Sequence, residues 1–330
     1  MEGVAPSPAD AAWITVLIPT VDREASLRET LRTLADHDGS VRVDVIVIEN
    51  LPAPRLEAPS LALPGLASVR LLHEPRPGKA AALNRALAAG GLAPVVGVLD
   101  DDMSPGPNWA ALVARASASR PAFDVFSGRS HVIWPEGVTR PPWADHPLAQ
   151  GMQFSVLDLG SDGDREMGRG AIGYPSGNHF WFRRTVLDDV PQFPDVWPPE
   201  MDFVLLVRAA GHRGVFVPEV RCGHRAQPSL FDARAFWARA RRFGEALERV
   251  ERFGEGSQRR SRLRALGALV RGSVRTVWAW GARHAAVLGP ARLRVPRRAQ
   301  AEMTMARQRG IVRRALGDLR RKDAGARPGT

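Results

Sequence analysis

The 330-residue chain is long enough to bury a large α/β core, and its 44% hydrophobic content is ordinary for a globular protein. Its single cysteine, Cys222, excludes an internal disulfide and fits a reducing compartment. The formal charge of +11 is unevenly placed: from Gly256 onward 19 Lys and Arg face three Asp and Glu, so a basic arm follows a mildly acidic body, which argues against a uniformly basic nucleic-acid binder.

The N-terminus carries Glu2 and Asp10 and lacks a basic segment followed by an apolar one, so it does not read as a signal peptide. The longest charge-free apolar stretches, such as Ala11–Val21, fall short of the ~20 residues that span a bilayer. The expectation is a cytoplasmic protein, with peripheral attachment to the inner face of the membrane left open. "WITVLIP" (13–19) predicts a first strand, and "SLRETLRTLAD" a helix whose start is signalled by the capping pair Ser26 and Glu29. Further strands are expected at 43–50, 69–74 and 95–100. Helices are expected at 78–90, closing on Gly90-Gly91, and from Pro107 to 119. Continuous apolar strands alternating with helices predict a mostly parallel sheet covered on both faces. Ligands bind such sheets at the carboxyl ends of the strands, where Glu49, Asn50 and Asp100–Asp102 fall.

Beyond Arg120 the alternation loosens. Strands are expected at 124–134, 177–184 and 214–224, a helix over 199–211, and arginine-rich helices thereafter. Residues 135–176 read as a long Pro/Gly/Asp-rich loop holding Trp143 and Tyr174. The run "VVGVLDDDMSPGPNW" ends a buried strand in three carboxylates with no lysine or arginine inside it, and such a cluster is costly without a cation. Lys79 is one of only two lysines in a chain that otherwise uses arginine, a hint that its ammonium is wanted there.

Taken in order, "ITVLIPT", "VIVIEN", "RPGKAAALNRAL", "VLDDDMSPGPNW", "GNHFWFRR", "EMDFVLLVRAAG" and "VPEVRCGH" resemble the nucleotide-sugar glycosyltransferases of family 2, over roughly residues 12–250. The resemblance implies a GT-A (Rossmann-like) domain over 12–250, with 251–330 as a basic helical extension. It also implies transfer of a sugar from a nucleotide-diphosphate donor to an acceptor hydroxyl on a glycan, lipid or small molecule. A departing diphosphate develops negative charge that a divalent cation neutralises, and hard oxygen ligands suit Mg²⁺ or Mn²⁺.

By the resemblance Asp102 binds the metal, His224 is a ligand to the metal or to its diphosphate, and Asp100 and Asp101 face the ribose or support the site. Thr20, Asp22, Glu49, Lys79 and Asn84 would line the nucleotide-sugar pocket. Glu49 stands where the family usually has an aspartate, and Arg76, Gly78 and Lys79 would meet phosphates at a helix start. Gly177, Asn178 and Trp181 are expected near the acceptor, with Trp143 a second candidate for stacking on a sugar. The catalytic base of an inverting transfer would be Asp202, six residues before Arg208, with Glu200 a supporting or rival carboxylate; Met201 replaces the family's glutamate. Against these stand plainer roles: the aspartates as an acidic helix start, and Glu200 and Asp202 as helix-capping carboxylates.

Two matches are discounted. "GRGAIG" (168–173) precedes Tyr-Pro rather than a helix, and Asp162/Asp164 follow no strand. In the basic arm, Leu263, Leu266, Val270, Val274 and Val277 share a helix face beside Arg264, Arg271 and Arg275, with Trp278 and Trp280 following. Either an anionic membrane surface or packing on the rest of the protein would account for it. "RARRFG" (239–244) is loosely similar to a motif of processive polysaccharide synthases but lacks its glutamine, so a single-sugar transfer is expected. The alternatives are a retaining GT-A transferase and, from another class, a nucleic-acid binder using the arginine arm.

Overall fold

The computed structural model describes residues 12–160, 163–167, 175, 177–254 and 262–323. The N-terminal segment with Glu2 and Asp10, Asp162, the "GRGAIG" match and Tyr174 lie outside the described residues. The chain divides into two compact units, one of residues 1–134 with 155–226 and one of 135–154 with 227–330.

The first unit is built on a nine-stranded sheet. Its strands are β1 (Ala12–Thr20), β2 (Val41–Glu49), β3 (Ser68–His73), β4 (Val95–Leu99), β5 (Met103–Pro105), β6 (Val125–Ile133), β7 (Arg165–Met167), β8 (His179–Arg183) and β9 (Gly214–Arg225). They lie in the order β3-β2-β1-β4-β8-β6-β9-β5, with β7 pairing β9 off this path. Strands β3, β2, β1 and β4 are parallel, whereas β8 runs antiparallel between β4 and β6. The helices are α1 (Glu24–Ala35), α2 (Lys79–Ala89), α3 (Trp109–Ser119), α5 (Val186–Asp189) and α6 (Pro199–Ala209); α4 belongs to the second unit.

Both faces of the sheet are covered, which is why its central strands read as unbroken apolar runs. Ile14, Val16, Val43 and Val45 pack with Leu27 and Leu31 of α1 and Trp109 and Val113 of α3. Leu17, Ile46 and Ile48 face the other way, onto Ala82, Leu83 and Ala86 of α2 and Phe203 and Val207 of α6. The α/β fold with a mixed, mostly parallel sheet is thus the expected one.

Several boundaries differ from expectation. Helix α1 begins at Glu24, so Ser26 lies inside its first turn and caps nothing; its hydroxyl donates to the Asp101 carbonyl at 2.9 Å. Helix α3 begins after Asn108, which adopts a left-handed conformation (φ 53°), rather than at Pro107. The stretch 135–176 holds α4 (Pro147–Met152) and β7.

The second unit contains α4, α7 (Ala233–Gly254), α8 (Arg262–Ala285) and α9 (Ala291–Asp323). Trp143 stacks on Phe154 and Phe236 there, at ring separations of 6.0 and 5.2 Å. It is 5% exposed, a core residue and not a sugar platform. Among the described residues no helix is long and apolar enough to cross a membrane.

Candidate active site

The carboxyl ends of β1, β2 and β4 converge on the Asp100–Asp102 turn. The three aspartates take three different surroundings. Asp101 is fully buried: its Oδ2 accepts the Thr20 hydroxyl at 2.6 Å, and its Oδ1 pairs with the Arg23 guanidinium at 2.7 Å. Burial pushes its carboxyl up to about 6, against the pull of Arg23 and Thr20. Its carbonyl accepts from Ser26, Thr30 and Arg225, so this residue pins the turn to α1 and β9.

Asp102 is 5% exposed. Its Oδ2 accepts from Arg23 at 2.8 Å, while its Oδ1 is buried without a hydrogen-bond partner among the described residues, 3.6 Å from Nε2 of His224. Burial works against its charge, but His224, Arg23 and Arg225 together hold the carboxyl below its usual range. His224 is brought there because β9 pairs with β5 in the register Met103 to His224.

Asp100 points the other way, to Lys79. The Lys79 ammonium lies 2.6 Å from Asp100 Oδ1, 2.5 Å from Glu200 Oε1 and 2.6 Å from the carbonyl of Gly177. The two carboxylates outweigh the cost of burial and raise its pKa, so it stays charged. Lys79 opens α2 because Gly78 turns the chain at φ 122°, with its N–H on Asn50 Oδ1 at 2.8 Å. The Asn50 amide donates to the carbonyls of Glu74 and Arg76, fixing this loop to the end of β2. Gly177 leaves room for the Glu200 carboxyl: a Cβ there would lie 2.8 Å from its carboxyl carbon. The Asp100 N–H donates to the Asn178 carbonyl at 3.3 Å.

Thr20, Lys79, Asp100, Asp101, Asp102, Gly177, Asn178, Glu200 and His224 are therefore gathered around one turn. Others are placed elsewhere. Glu49 is buried with its carboxylate filled by the N–H groups of Arg55 and Leu56, so it closes the loop after β2. Asp22, at φ 53°, is exposed and pairs with Arg55. Arg76 is spent on Glu74. Asn84 clamps the backbone of Phe193 through both ends of its amide, at 2.8 and 2.7 Å. Trp181 is a correction: the alternation along β8 turns it into the core, fully buried, stacked on Phe126 at 5.6 Å with its Nε1–H on Ser117. Asp164 is held by Arg120.

Arg23 and Arg225 escaped the reading of the sequence. Arg23 had a signal: a cation at a helix N-terminus opposes the helix dipole and so is wanted for something else. Arg225 had none, since it reaches Asp101 from 124 residues away. The cations that offset the aspartate run thus come from outside it.

No group of three or more His, Cys, Asp or Glu residues that could hold a metal occurs among the described residues. Comparison with curated proteins gives no match. Among solved structures, the chain is similar to the mannosyltransferase PcManGT from Pyrobaculum calidifontis in complex with GDP-Man and Mn²⁺. The TM-score is 0.51 at 19% identity, covering 98% of this chain and 79% of that one. It is also similar to GalNAc-T7 with UDP, GalNAc and Mn²⁺, with a TM-score of 0.50 at 15% identity. That match covers 71% of this chain and 48% of the other, so about half of that protein's length is spanned. These similarities establish the GT-A-like fold. The profile described as "Glycosyl transferase family 2" matches residues 15–190, a span containing the aspartate turn, Lys79 and Gly177. That span exceeds half of the chain, and the protein accordingly belongs to glycosyl transferase family 2, the nucleotide-sugar-dependent glycosyltransferases.

Proposed function

We propose that the protein carries out an inverting, divalent-metal-dependent transfer of a single sugar from a nucleoside-diphosphate donor to an acceptor hydroxyl. The observation that carries this reading is Asp102 Oδ1: a buried carboxylate oxygen lacking a hydrogen bond, facing the His224 imidazole at 3.6 Å. The carboxylate oxygen suits Mn²⁺ or Mg²⁺, and the imidazole nitrogen favours Mn²⁺ of the two, with donor diphosphate and water completing the set. A divalent cation held by Asp102 and His224 would neutralise the charge that develops on the departing diphosphate.

The chain's own groups supply the rest. Lys79 contributes a fixed positive charge beside Asp100, at the start of α2, where anions are favoured. Thr20 and Arg23 hold Asp101 and Asp102 in place. A carboxylate at the start of α6 takes the acceptor's proton as its oxygen attacks the anomeric carbon. Geometry favours Glu200 for this over Asp202. Glu200 is joined to Asp100 through one ammonium, whereas Asp202, two residues on, is turned about 200° around the helix.

The test is calorimetric binding of UDP, GDP and dTDP, each with Mn²⁺ and with EDTA, to wild type and Asp102→Asn. Metal-dependent binding of one nucleotide, lost in the variant, is expected; no binding by a folded protein overturns the reading. The released sugar from slow donor hydrolysis, followed by NMR before mutarotation, should carry the inverted anomer. Retention would replace the inverting mechanism. Glu200→Gln should slow turnover by about 10²–10⁴-fold and Asp202→Asn far less; the opposite ranking returns the base to Asp202.

A further inference from the structure

We propose that the outer face of α8 is a docking surface for an anionic lipid membrane, on which the helix lies rather than inserts across. An ordinary helix packed on protein turns its large apolar side chains inward. Helix α8 does the reverse. Its buried side is made of Ala265, Ala268, Gly272 and Ala279, and a Cβ on Gly272 would meet Val312 of α9 at 2.8 Å. Its outer side carries Leu263, Leu266, Val270, Val274, Val277, Trp278 and Trp280, exposed by 51% to 83%. At 100° per residue these seven fill an arc of about 160°. Val287 and Leu288 continue the apolar surface beyond the helix, at 61% and 86% exposure. A contiguous patch of this kind marks an interaction surface, unlike scattered apolar residues.

Charge selects the occupant. The 24 residues of α8 include no aspartate or glutamate. Arg264, Arg271 and Arg275 are exposed and fall within about 40° of one another along one border of the apolar stripe. Arginines so placed lay their stems on apolar surface and raise their guanidinium groups to phosphates at the headgroup level. Two exposed tryptophans suit the same interface. An acid-free helix offers a second copy of itself nothing to pair those arginines with. Because no described helix is long and apolar enough to cross a bilayer, the mode is a helix parallel to the surface.

The experiment is co-sedimentation of the full chain with vesicles of phosphatidylcholine alone and of an equal mixture of phosphatidylcholine and phosphatidylglycerol. Tryptophan emission and oligomeric state are read in parallel. Binding to the mixed vesicles with a blue shift is expected, with little binding to the neutral ones. The double variant Val274→Glu/Val277→Glu should weaken binding roughly tenfold or more. Arg264→Gln/Arg271→Gln/Arg275→Gln should erase the preference for anionic lipid. Circular dichroism checks that the variants keep their helices; all five positions are exposed. Three results overturn the proposal: no partition of wild type into mixed vesicles, equal binding by the glutamate variant, or a blue shift produced by dimerisation without lipid.

Discussion

Arg23 stands at the N-terminus of α1, where a positive charge is disfavoured, because it bridges Asp101 and Asp102 with its two terminal nitrogens. Removing it leaves two buried carboxylates with less compensation. Arg23→Gln should lower stability by about 1–2 kcal/mol, an amount reduced by the guanidinium's partial exposure. It should also raise the affinity for Mn²⁺ without nucleotide, since one competing cation is gone; thermal melts and calorimetry read the two effects. Gly177 is under a different constraint. Gly177→Ala sets a methyl group 2.8 Å from the Glu200 carboxyl, so Glu200 must leave Lys79 or the loop must shift. A cost of about 1–3 kcal/mol is expected, with kcat falling more than donor affinity. At this scale the sequence revealed the residues whose chemistry is unusual, such as the aspartate run and the rare lysine. It could not reveal that Asn84 and Trp181 are engaged by backbone and core, because their partners lie 109 and 64 residues away, nor that the loop after β2 folds back onto Glu49.

Strand β8 illustrates what elements add. It runs antiparallel between β4 and β6, and its first residue, His179, is buried under α3. Trp109 donates to its Nε2, so the ring is neutral with the proton on Nδ1. Burial lowers its pKa from 6.5 to about 3. The unfolded chain therefore takes up a proton between these values that the folded chain refuses. Stability is at its full value above about pH 6.5 and falls toward pH 3, by about 1.4 kcal/mol per pH unit for this group. Urea midpoints measured across that range should show the slope, and His179→Gln should flatten it. Regular elements were legible because their periods are local: β1 and β4 are dominated by continuous apolar residues, and β2 carries the apolar run Val45–Ile48. The start of α1 was misread because Ser26 and Glu29 have the spacing of a capping pair, although Ser26 serves Asp101. Three-residue β5 is defined by its partner β9, which no local pattern announces.

The whole chain falls into two compact units, and every residue gathered at the aspartate turn belongs to the first. Differential scanning calorimetry should resolve two transitions, and a nucleotide bound with Mn²⁺ should raise only the one belonging to the first unit. A single transition that moves as a whole would show the units to be thermodynamically one. The division of charge between an acidic body and a basic arm was plain from the sequence, while the inside-out character of α8 needed the burial of its small residues to be seen. One feature of the first unit also bears on how the protein is made. The carboxylates of the aspartate turn pair with Arg23 and Lys79, both synthesised before it, while Arg225, 124 residues after Asp101, donates to the Asp101 carbonyl. During synthesis those two cations are already present when the turn emerges, but the contacts from His224 and Arg225 wait until β9 has emerged and docked. Contacts of such long separation carry a loop-closure cost that slows folding. A nascent chain halted before His224 and Arg225 is therefore expected to have all three aspartates and two of their cations, yet an incomplete turn.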